Sequence, residues 1–252
     1  MKLIHPLDAL GYRHKFGVLA PSTNTIVEPD FHRMAVPGVT SHMSRIYIKN
    51  QDISSDERMQ DLLVQIREEI LRAIDLVKTA EVNSLVMGMS LETFWDGLEG
   101  NRKFVERLEN YSGLKVASGA RSCMAALDVL KVKKIAVLTP YQPIGDVNVR
   151  KFFGDIGVEV VALKGLRCPT AVSIAQVGEE QLRSSLQELN VSDCEAIIQV
   201  GTNLSMLRLA DEAERWLGKP VIAINAATWW YALRNQGIRD QVDGCGILMR
   251  KF

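Results

Sequence analysis

The sequence has little of what marks metal-binding or disulfide-bonded proteins. It contains four cysteines and four histidines among 252 residues. The cysteines, at positions 123, 168, 194 and 245, have no paired C-x-x-C spacing, and the histidines have no metal-ligand spacing. We therefore expect reduced thiols, no disulfide framework and no metal site.

Net charge and long apolar runs are also lacking. Thirty basic and thirty acidic residues cancel, and no long run of like charge suggests binding to nucleic acid. No stretch approaches the ~18 apolar residues of a membrane span. The first eight residues, MKLIHPLD, are too few and too polar for a signal peptide. These features predict a cytoplasmic protein that binds neither nucleic acid nor membrane.

What is present is the alternation typical of α/β proteins. With 47% hydrophobic residues the chain has ample material for a core. Apolar runs of strand length alternate with longer segments of helical period, which predicts parallel sheets with crossover helices. The predicted strands are 16–20, 39–48, 84–87, 115–117, 134–138, 159–163, 196–200 and 220–224. The predicted helices are 56–79, 101–111, 120–130, 145–153, 178–189, 204–217 and 226–236.

The chain also repeats itself, with three matched pairs in the same order. The pairs are FGVLAPSTN (16–24) with IAVLTPYQP (135–143), LVMGMSL (85–91) with IQVGTNL (198–204), and GLKVAS (113–118) with GKPVIA (218–223). Internal duplication predicts two similar α/β lobes, 1–130 and 131–252, related by a pseudo-twofold axis. Ligands of open parallel sheets lie beyond the carboxyl ends of strands, so a cleft between the lobes is the expected site.

Polar residues follow the predicted strands at these ends. The loop 20–25 offers hydroxyls and an amide that suit a carboxylate, although the same residues are also preferred helix caps. Gly88 and Gly201 would bring backbone N–H groups close to a ligand, or would only permit tight turns. Tyr141 follows a proline at a strand end, where its phenol would contact a ligand or pack half-buried. Glu92 and Asp96, just after the Gly88 turn, are weaker candidates for a general base.

These motifs resemble the aspartate/glutamate racemase superfamily. Residues 21–25 (PSTNT) are similar to a turn of its maleate cis-trans isomerases, whereas 84–97 and 141–153 look more like its arylmalonate decarboxylases. The similarity runs from residue 16 to about residue 237. In that family two cysteines, one per lobe, flank the reacting carbon, and the decarboxylase keeps only the second. On this sequence the two positions are Gly88 and Gly201, so both cysteines are absent.

The resemblance implies a small carboxylate or dicarboxylate substrate, no cofactor, and a set of ligand-binding residues. That set is Pro21, Thr23, Asn24, Gly88, Met89, Ser90, Tyr141, Gly201, Thr202 and Asn203. Tyr141 and Ser90 are the candidate catalytic residues. Of the four cysteines, only Cys168 is a candidate to lie near the cleft.

Three functions remain open at this point. The first is a cofactor-independent lyase or isomerase, most concretely a decarboxylase that forms an enediolate and has a non-cysteine proton donor. The second is a maleate isomerase-like enzyme, or a hydrolase or hydratase that activates water with Glu92 or Asp96. The third is a carboxylate-binding protein without catalysis. We also expect a homo-oligomer, because Trp229 and Trp230 would otherwise be an exposed apolar liability.

Overall fold

The computed structural model describes residues 8–252, and the amino-terminal segment on which the signal-peptide argument rests lies outside this range. The fold contains two four-stranded parallel sheets, each flanked by helices. The strands are β1 (His14–Pro21), β2 (Val39–Ile46), β3 (Ser84–Met87), β4 (Val116–Ala117), β5 (Lys134–Thr139), β6 (Glu159–Gly165), β7 (Ala196–Gln199) and β8 (Val221–Ala223). All eight coincide with predicted strands, and the predicted α/β class is confirmed.

In residues 8–252 the helices alternate with the strands; seven of them match predicted helices, and those at 27–33, 91–94 and 247–251 are additional. They are α1 (Val27–Arg33), α2 (Asp56–Lys78), α3 (Leu91–Phe94), α4 (Gly97–Ser112), α5 (Gly119–Leu130), α6 (Pro143–Asp155), α7 (Glu179–Leu189), α8 (Leu207–Leu217), α9 (Ile224–Asn235) and α10 (Ile247–Lys251), with a short 3-10 helix at Ser173–Gln176. The longest, α2, begins where the Ser55 hydroxyl accepts the backbone N–H of Arg58. Its buried residues recur at helical spacing and cover β1 and β2.

The two sheets have the same strand order, β2-β1-β3-β4 and β6-β5-β7-β8. Their registers show that one of the three sequence repeats is misaligned by one residue. Leu19 pairs with Met87, and its counterpart Leu138 pairs with Gln199. Gly88 therefore corresponds to Val200 rather than to Gly201, and the prediction that the two glycines are equivalent is wrong.

Helix α9 connects the two halves of the fold. It follows β8 in the second sheet but packs against α1, β3, β4 and α5. Trp229 lies between Phe16 and Phe31, with ring centroids 5.1 and 4.7 Å away, and its indole N–H donates to the carbonyl of Met34 at 3.0 Å. Trp229 and Trp230 are 1% and 5% exposed, so the exposed apolar surface expected there does not exist. The division at residues 130 and 131 stays a prediction.

Among residues 8–252, no helix is long and apolar enough to cross a membrane.

Candidate functional site

A cavity lies where the carboxyl ends of β1, β3, β5 and β7 meet. Parallel strands place the loops that follow them at one edge of each sheet, and the two edges face each other. Nine of the ten predicted ligand-binding residues line this cavity: Pro21, Thr23, Asn24, Met89, Ser90, Tyr141, Gly201, Thr202 and Asn203. The tenth, Gly88, is absent from the wall, but its carbonyl accepts the Thr202 hydroxyl at 3.1 Å.

Most of the remaining cavity lining, here called the apolar wall, was not anticipated from the sequence. It consists of Ile48, Ile53, Met59, Leu62, Ile66, Leu91, Ala171 and Ile174. Met59, Leu62 and Ile66 come from the amphipathic helix α2, whose spacing identifies a buried face but not what it faces. The cavity volume is about 60 Å³. Among the lining residues that the structure describes, Tyr141 alone has an ionisable side chain.

Ser90 and Tyr141 form the closest polar pair in the cavity. Their hydroxyl oxygens are 2.6 Å apart, and both residues are buried. The Ser90 oxygen also accepts the backbone N–H of Thr202 at 3.3 Å. Two hydroxyl protons are available and one is used between the pair, so one remains for a ligand. Burial raises the pKa of Tyr141 well above its usual value, so the phenol is an acid or donor at neutral pH.

The side chains of Asn24 and Asn203 are largely occupied by bonds within the protein. The Asn24 carbonyl oxygen accepts the N–H groups of Ile26 and Val27 at the start of α1, and its amide donates to the Thr202 hydroxyl at 3.1 Å. Of the two functions considered for the loop 20–25, carboxylate binding and helix capping, the Asn24 side chain therefore performs the second.

Asn203 accepts the N–H of Thr25 at 3.0 Å and donates to the carbonyl of Ala171 at 3.0 Å. Both asparagines hold the two lobes together around the cavity.

Thr202 is held from behind by a second buried pair that the sequence did not single out. The Asn225 amide donates to the Thr202 carbonyl at 3.0 Å and to the Asp30 carboxylate at 2.8 Å. Burial raises the pKa of Asp30 to about 6. Asn225 follows β8, an edge strand of the second sheet, so the rule that polar residues after strand ends form the site would also have found this residue.

Neither glycine position has space for a side chain. A Cβ built on Gly88 would lie 2.9 Å from the Cβ of Ala20 and 3.2 Å from the carbonyl of Leu19. A Cβ built on Gly201 would lie 2.5 Å from the ring of Pro140, and Gly201 has φ +119, a conformation that side chains disfavour. At both positions at which the resemblance implies cysteines, neighbouring atoms therefore occupy the space that a side chain would need.

No cysteine replaces the missing pair. All four are buried, and none of them lines the cavity. Cys168 lies behind the wall, where its N–H donates to the carbonyl of Pro140 at 3.0 Å. Burial raises the pKa of Cys168 and Cys245 to about 11 and that of Cys123 to about 12, so these thiols stay protonated. Cys168 therefore contacts a lining residue through its backbone but does not itself line the cavity, and the expectation that it lies near the cleft holds only in that sense.

Glu92 and Asp96 do not reach the cavity. Both line a separate surface cleft with Trp95, on the far side of α3. There the Glu92 carboxylate accepts from Arg67 at 2.6 Å. Within residues 8–252, no cluster of three or more His, Cys, Asp or Glu residues is arranged to hold a metal ion. Neither carboxylate can act as a base at the candidate site.

Comparisons with known proteins agree with this architecture. The family model for arylmalonate decarboxylase matches residues 54–249. A maleate isomerase of Pseudomonas putida is 22% identical over 243 residues, covering 94% of this chain and 97% of the relative.

Solved structures show the same fold. A Nocardia farcinica maleate cis-trans isomerase variant with a covalently bound succinylcysteine intermediate has TM-score 0.85 at 20% identity, covering 95% of this chain and 99% of its own. A crystal structure of arylmalonate decarboxylase has TM-score 0.72 at 18% identity, covering 93% and 98%. The chain belongs to the arylmalonate decarboxylase family.

Proposed function

We propose that this protein is a cofactor-independent enzyme that acts on a small carboxylate through an enediolate, with a hydroxyl group as proton donor. The observation that carries the proposal is the Ser90–Tyr141 pair, 2.6 Å apart in a buried cavity that has no thiol in its wall. The pair retains a proton for a ligand, and Tyr141 is held in its neutral form. A neutral acid beside hydrogen-bond donors suits the protonation of a carbanion.

The most concrete form of this chemistry is decarboxylation of a malonate. The bond between the α-carbon and one carboxylate breaks, CO2 leaves, and the electron pair passes into the remaining carboxylate as an enediolate. The free hydroxyl proton of the Ser90–Tyr141 pair and backbone N–H groups of the cavity loops would stabilise that charge. Tyr141 or Ser90 then gives a proton to the α-carbon and regains one from water.

The two walls of the cavity suit the two ends of such a substrate. The polar wall, with Thr23, Ser90, Tyr141 and Thr202, would hold the carboxylate that becomes the enediolate. The apolar wall would surround the departing carboxylate or the substituent of the α-carbon, where exclusion of water favours loss of charge. No cofactor enters this scheme.

Isomerisation of a maleate-like substrate is the second candidate. It is favoured by the similarity to the Pseudomonas putida maleate isomerase, which aligns over 94% of this chain, and by the PSTNT turn. A covalent route through a thiol has no nucleophile here, because both implied cysteine positions are glycines without room for a side chain. Isomerisation would need a different nucleophile, such as water.

The other two functions differ in their support. A hydrolase or hydratase that uses Glu92 or Asp96 loses its base, because neither residue lines the cavity. A carboxylate-binding protein without turnover is compatible with the donors in the cavity wall and is distinguished only by experiment.

Proton NMR in D2O with a panel of alkyl and aryl malonates, maleate, and amino and hydroxy diacids tests the proposal. We expect CO2 loss with one solvent deuterium at the α-carbon of the product. Tyr141→Phe or Ser90→Ala should lower turnover by more than about tenfold. Tyr111→Phe is the matched control, because the phenol of Tyr111 is exposed and bonds only to Asp75.

Each alternative has its own result in the same experiment. Fumarate or malate formed from maleate would support the isomerase or hydratase. Line broadening of one compound without turnover would support a binding protein. Unchanged kinetics in both Tyr141→Phe and Ser90→Ala would remove these residues from the mechanism.

Homo-oligomerisation stays a prediction. Its support from Trp229 and Trp230 is lost, since both pack inside the subunit. Light scattering after size exclusion tests it, because a mass well above 28.1 kDa indicates an oligomer.

A further inference from the structure

We propose that Asp146, together with Thr139 and Arg167, is a positioning group that holds Tyr141 against Ser90. This inference rests on the proposed function, which gives Tyr141 its role. The three residues are joined to the Tyr141 backbone on both sides and do not line the cavity. We call them the Tyr141 clamp.

The amino side of Tyr141 is held through Thr139. The backbone N–H of Tyr141 donates to the Thr139 hydroxyl at 3.2 Å, and that hydroxyl donates to Asp146 Oδ1 at 2.5 Å. Thr139 has no exposed surface. Since one hydroxyl both accepts and donates here, its removal leaves two buried polar groups without a partner.

The carbonyl side of Tyr141 is held through Arg167. The guanidinium donates to the Tyr141 carbonyl, and the same nitrogen, Nη1, lies 2.6 Å from Asp146 Oδ2. Asp146 is 6% exposed, so its carboxylate is charged only with partners of this kind. One carboxylate thus ties both ends of the Tyr141 peptide.

Three elements of the second lobe meet in the Tyr141 clamp. Thr139 ends β5, Asp146 lies in the first turn of α6, and Arg167 follows β6. A structural staple between these elements would also use an Asp–Arg pair. What distinguishes the Tyr141 clamp is that both of its hydrogen-bond chains, through Thr139 and through Arg167, end on peptide groups of a single cavity residue.

Two glycines make room for this arrangement. A Cβ on Gly145 would lie 2.6 Å from the Cβ of Tyr141, and a Cβ on Gly165 would lie 2.6 Å from Asp146 Oδ2. Neither glycine has a positive φ, so backbone conformation does not explain them. Both positions require glycine because the Tyr141 ring and the Tyr141 clamp approach the backbone closely there.

The clamp also affects the proton of Tyr141. Burial is the main cause of the raised pKa of Tyr141, the hydrogen bond to Ser90 opposes it, and the negative charge of Asp146 raises it further. The same carboxylate therefore fixes the position of the phenol and helps to keep it protonated.

Thr139→Val and Thr139→Ser form the decisive pair, because the first removes the hydroxyl and the second restores it. On the best substrate of the NMR panel, we expect Thr139→Val to lower kcat about tenfold or more with KM changed less than about threefold. Thr139→Ser should stay within about threefold of wild type. Asp146→Asn should behave like Thr139→Val, and Asp155→Asn on the same helix is its control.

A readout that needs no substrate accompanies the kinetics. The five tyrosines are replaced by 3-fluorotyrosine, and the ¹⁹F signal of Tyr141 is assigned by its loss in Tyr141→Phe. We expect that signal to shift or broaden in Thr139→Val and Asp146→Asn, and to keep its wild-type position in Thr139→Ser and Asp155→Asn.

The outcomes separate the inference from the proposed function. If Thr139→Val and Asp146→Asn lower the melting temperature but leave the ¹⁹F signal and kcat unchanged, the clamp is only a structural staple and the inference is wrong. If wild type turns over no compound, the proposed function fails, and the ¹⁹F signal alone decides whether the clamp positions Tyr141. If Thr139→Val does not fold, Asp146→Asn provides the same comparison.

Discussion

Gly201 combines two constraints that are usually separate. Its φ of +119 is in a region that residues with a Cβ rarely adopt, and its missing Cβ would meet the ring of Pro140 at 2.5 Å. The loop that follows β7 can therefore turn into the cavity and present the Thr202 N–H to Ser90 at 3.3 Å. At this position the backbone, and not a side chain, shapes the site.

Gly201→Ala should destabilise the protein by about 3 kcal/mol or more, because strain and collision add. Gly113→Ala is the control, since Gly113 has φ +73 with no neighbour within 4 Å of the added Cβ; it should cost about 1–2 kcal/mol. Urea unfolding measures both. Equal losses of unfolding free energy in Gly201→Ala and Gly113→Ala would mean that the Pro140 ring moves aside without an energetic cost.

At the scale of single elements, the start of α1 is joined to the other lobe. The Asn24 side chain accepts two N–H groups of the first turn and donates to the Thr202 hydroxyl. The sequence suggests a cap or a ligand contact for this loop. The structure shows that one amide serves as a cap and as a bridge between lobes, which places the Thr23 and Thr202 loops side by side.

Asn24→Ala should lower the free energy of unfolding by more than the loss of an ordinary helix cap does. We expect a loss of about 2 kcal/mol, compared with about 1 kcal/mol for Ser55→Ala at the exposed start of α2. Asn24→Asp keeps the capping oxygens but loses the donor to Thr202, and should fall between wild type and Asn24→Ala. Chemical denaturation of the four proteins checks the order. A loss in Asn24→Ala no greater than in Ser55→Ala would show that the bridge adds nothing.

At the scale of the whole molecule, buried polar groups join the two sheets behind the cavity. Asp30 on α1 accepts from Asn225 on α9, which also donates to Thr202 after β7. Asp30 is 7% exposed, and burial raises its pKa to about 6. An acid whose folded pKa is raised binds its proton more tightly when folded, so it contributes stability at low pH that is lost as pH rises through about 6.

Asp30→Asn should remove this pH dependence. Between pH 7 and pH 4, the unfolding free energy of wild type should gain about 3 kcal/mol relative to Asp30→Asn, since each of about two pKa units is worth about 1.4 kcal/mol. Urea unfolding of both proteins across this range measures the difference, in which the contributions of other carboxyls cancel. A difference that does not change with pH would contradict the raised pKa.

Much of the site could be predicted because strand ends are local features with a fixed consequence. Apolar runs that end in Pro21, Gly88, Pro140 and Gly201 mark where chains leave parallel sheets, and such ends meet at one edge. The family and the class of lyase or isomerase, inferred from the motifs there, are confirmed by the family match. The roles of the individual site residues stay predictions.

The incorrect predictions concern properties of the protein that depend on more than one structural element. The repeat aligned Gly88 with Gly201, but strand pairing aligns Gly88 with Val200. Glu92 follows the Gly88 turn in sequence yet points to the far side of α3, because a helix turns successive side chains about 100° apart. Trp229 and Trp230 are buried by elements of the other lobe, which no local pattern reveals.

The sequence by itself determined the eight strands, the duplicated α/β architecture, the family and the absence of cysteine at both implied positions. Each of these follows from local periodicity or from the identity of single residues. Only the tertiary structure decided that neither glycine site has room for a side chain, that the two sites are inequivalent, that Ser90 and Tyr141 meet, and that Asp146 holds Tyr141 from both sides. These facts depend on contacts between different elements of the fold, such as Ser90 and Tyr141, which are 51 positions apart, or on strand register within each sheet, and local sequence carries no information about such contacts.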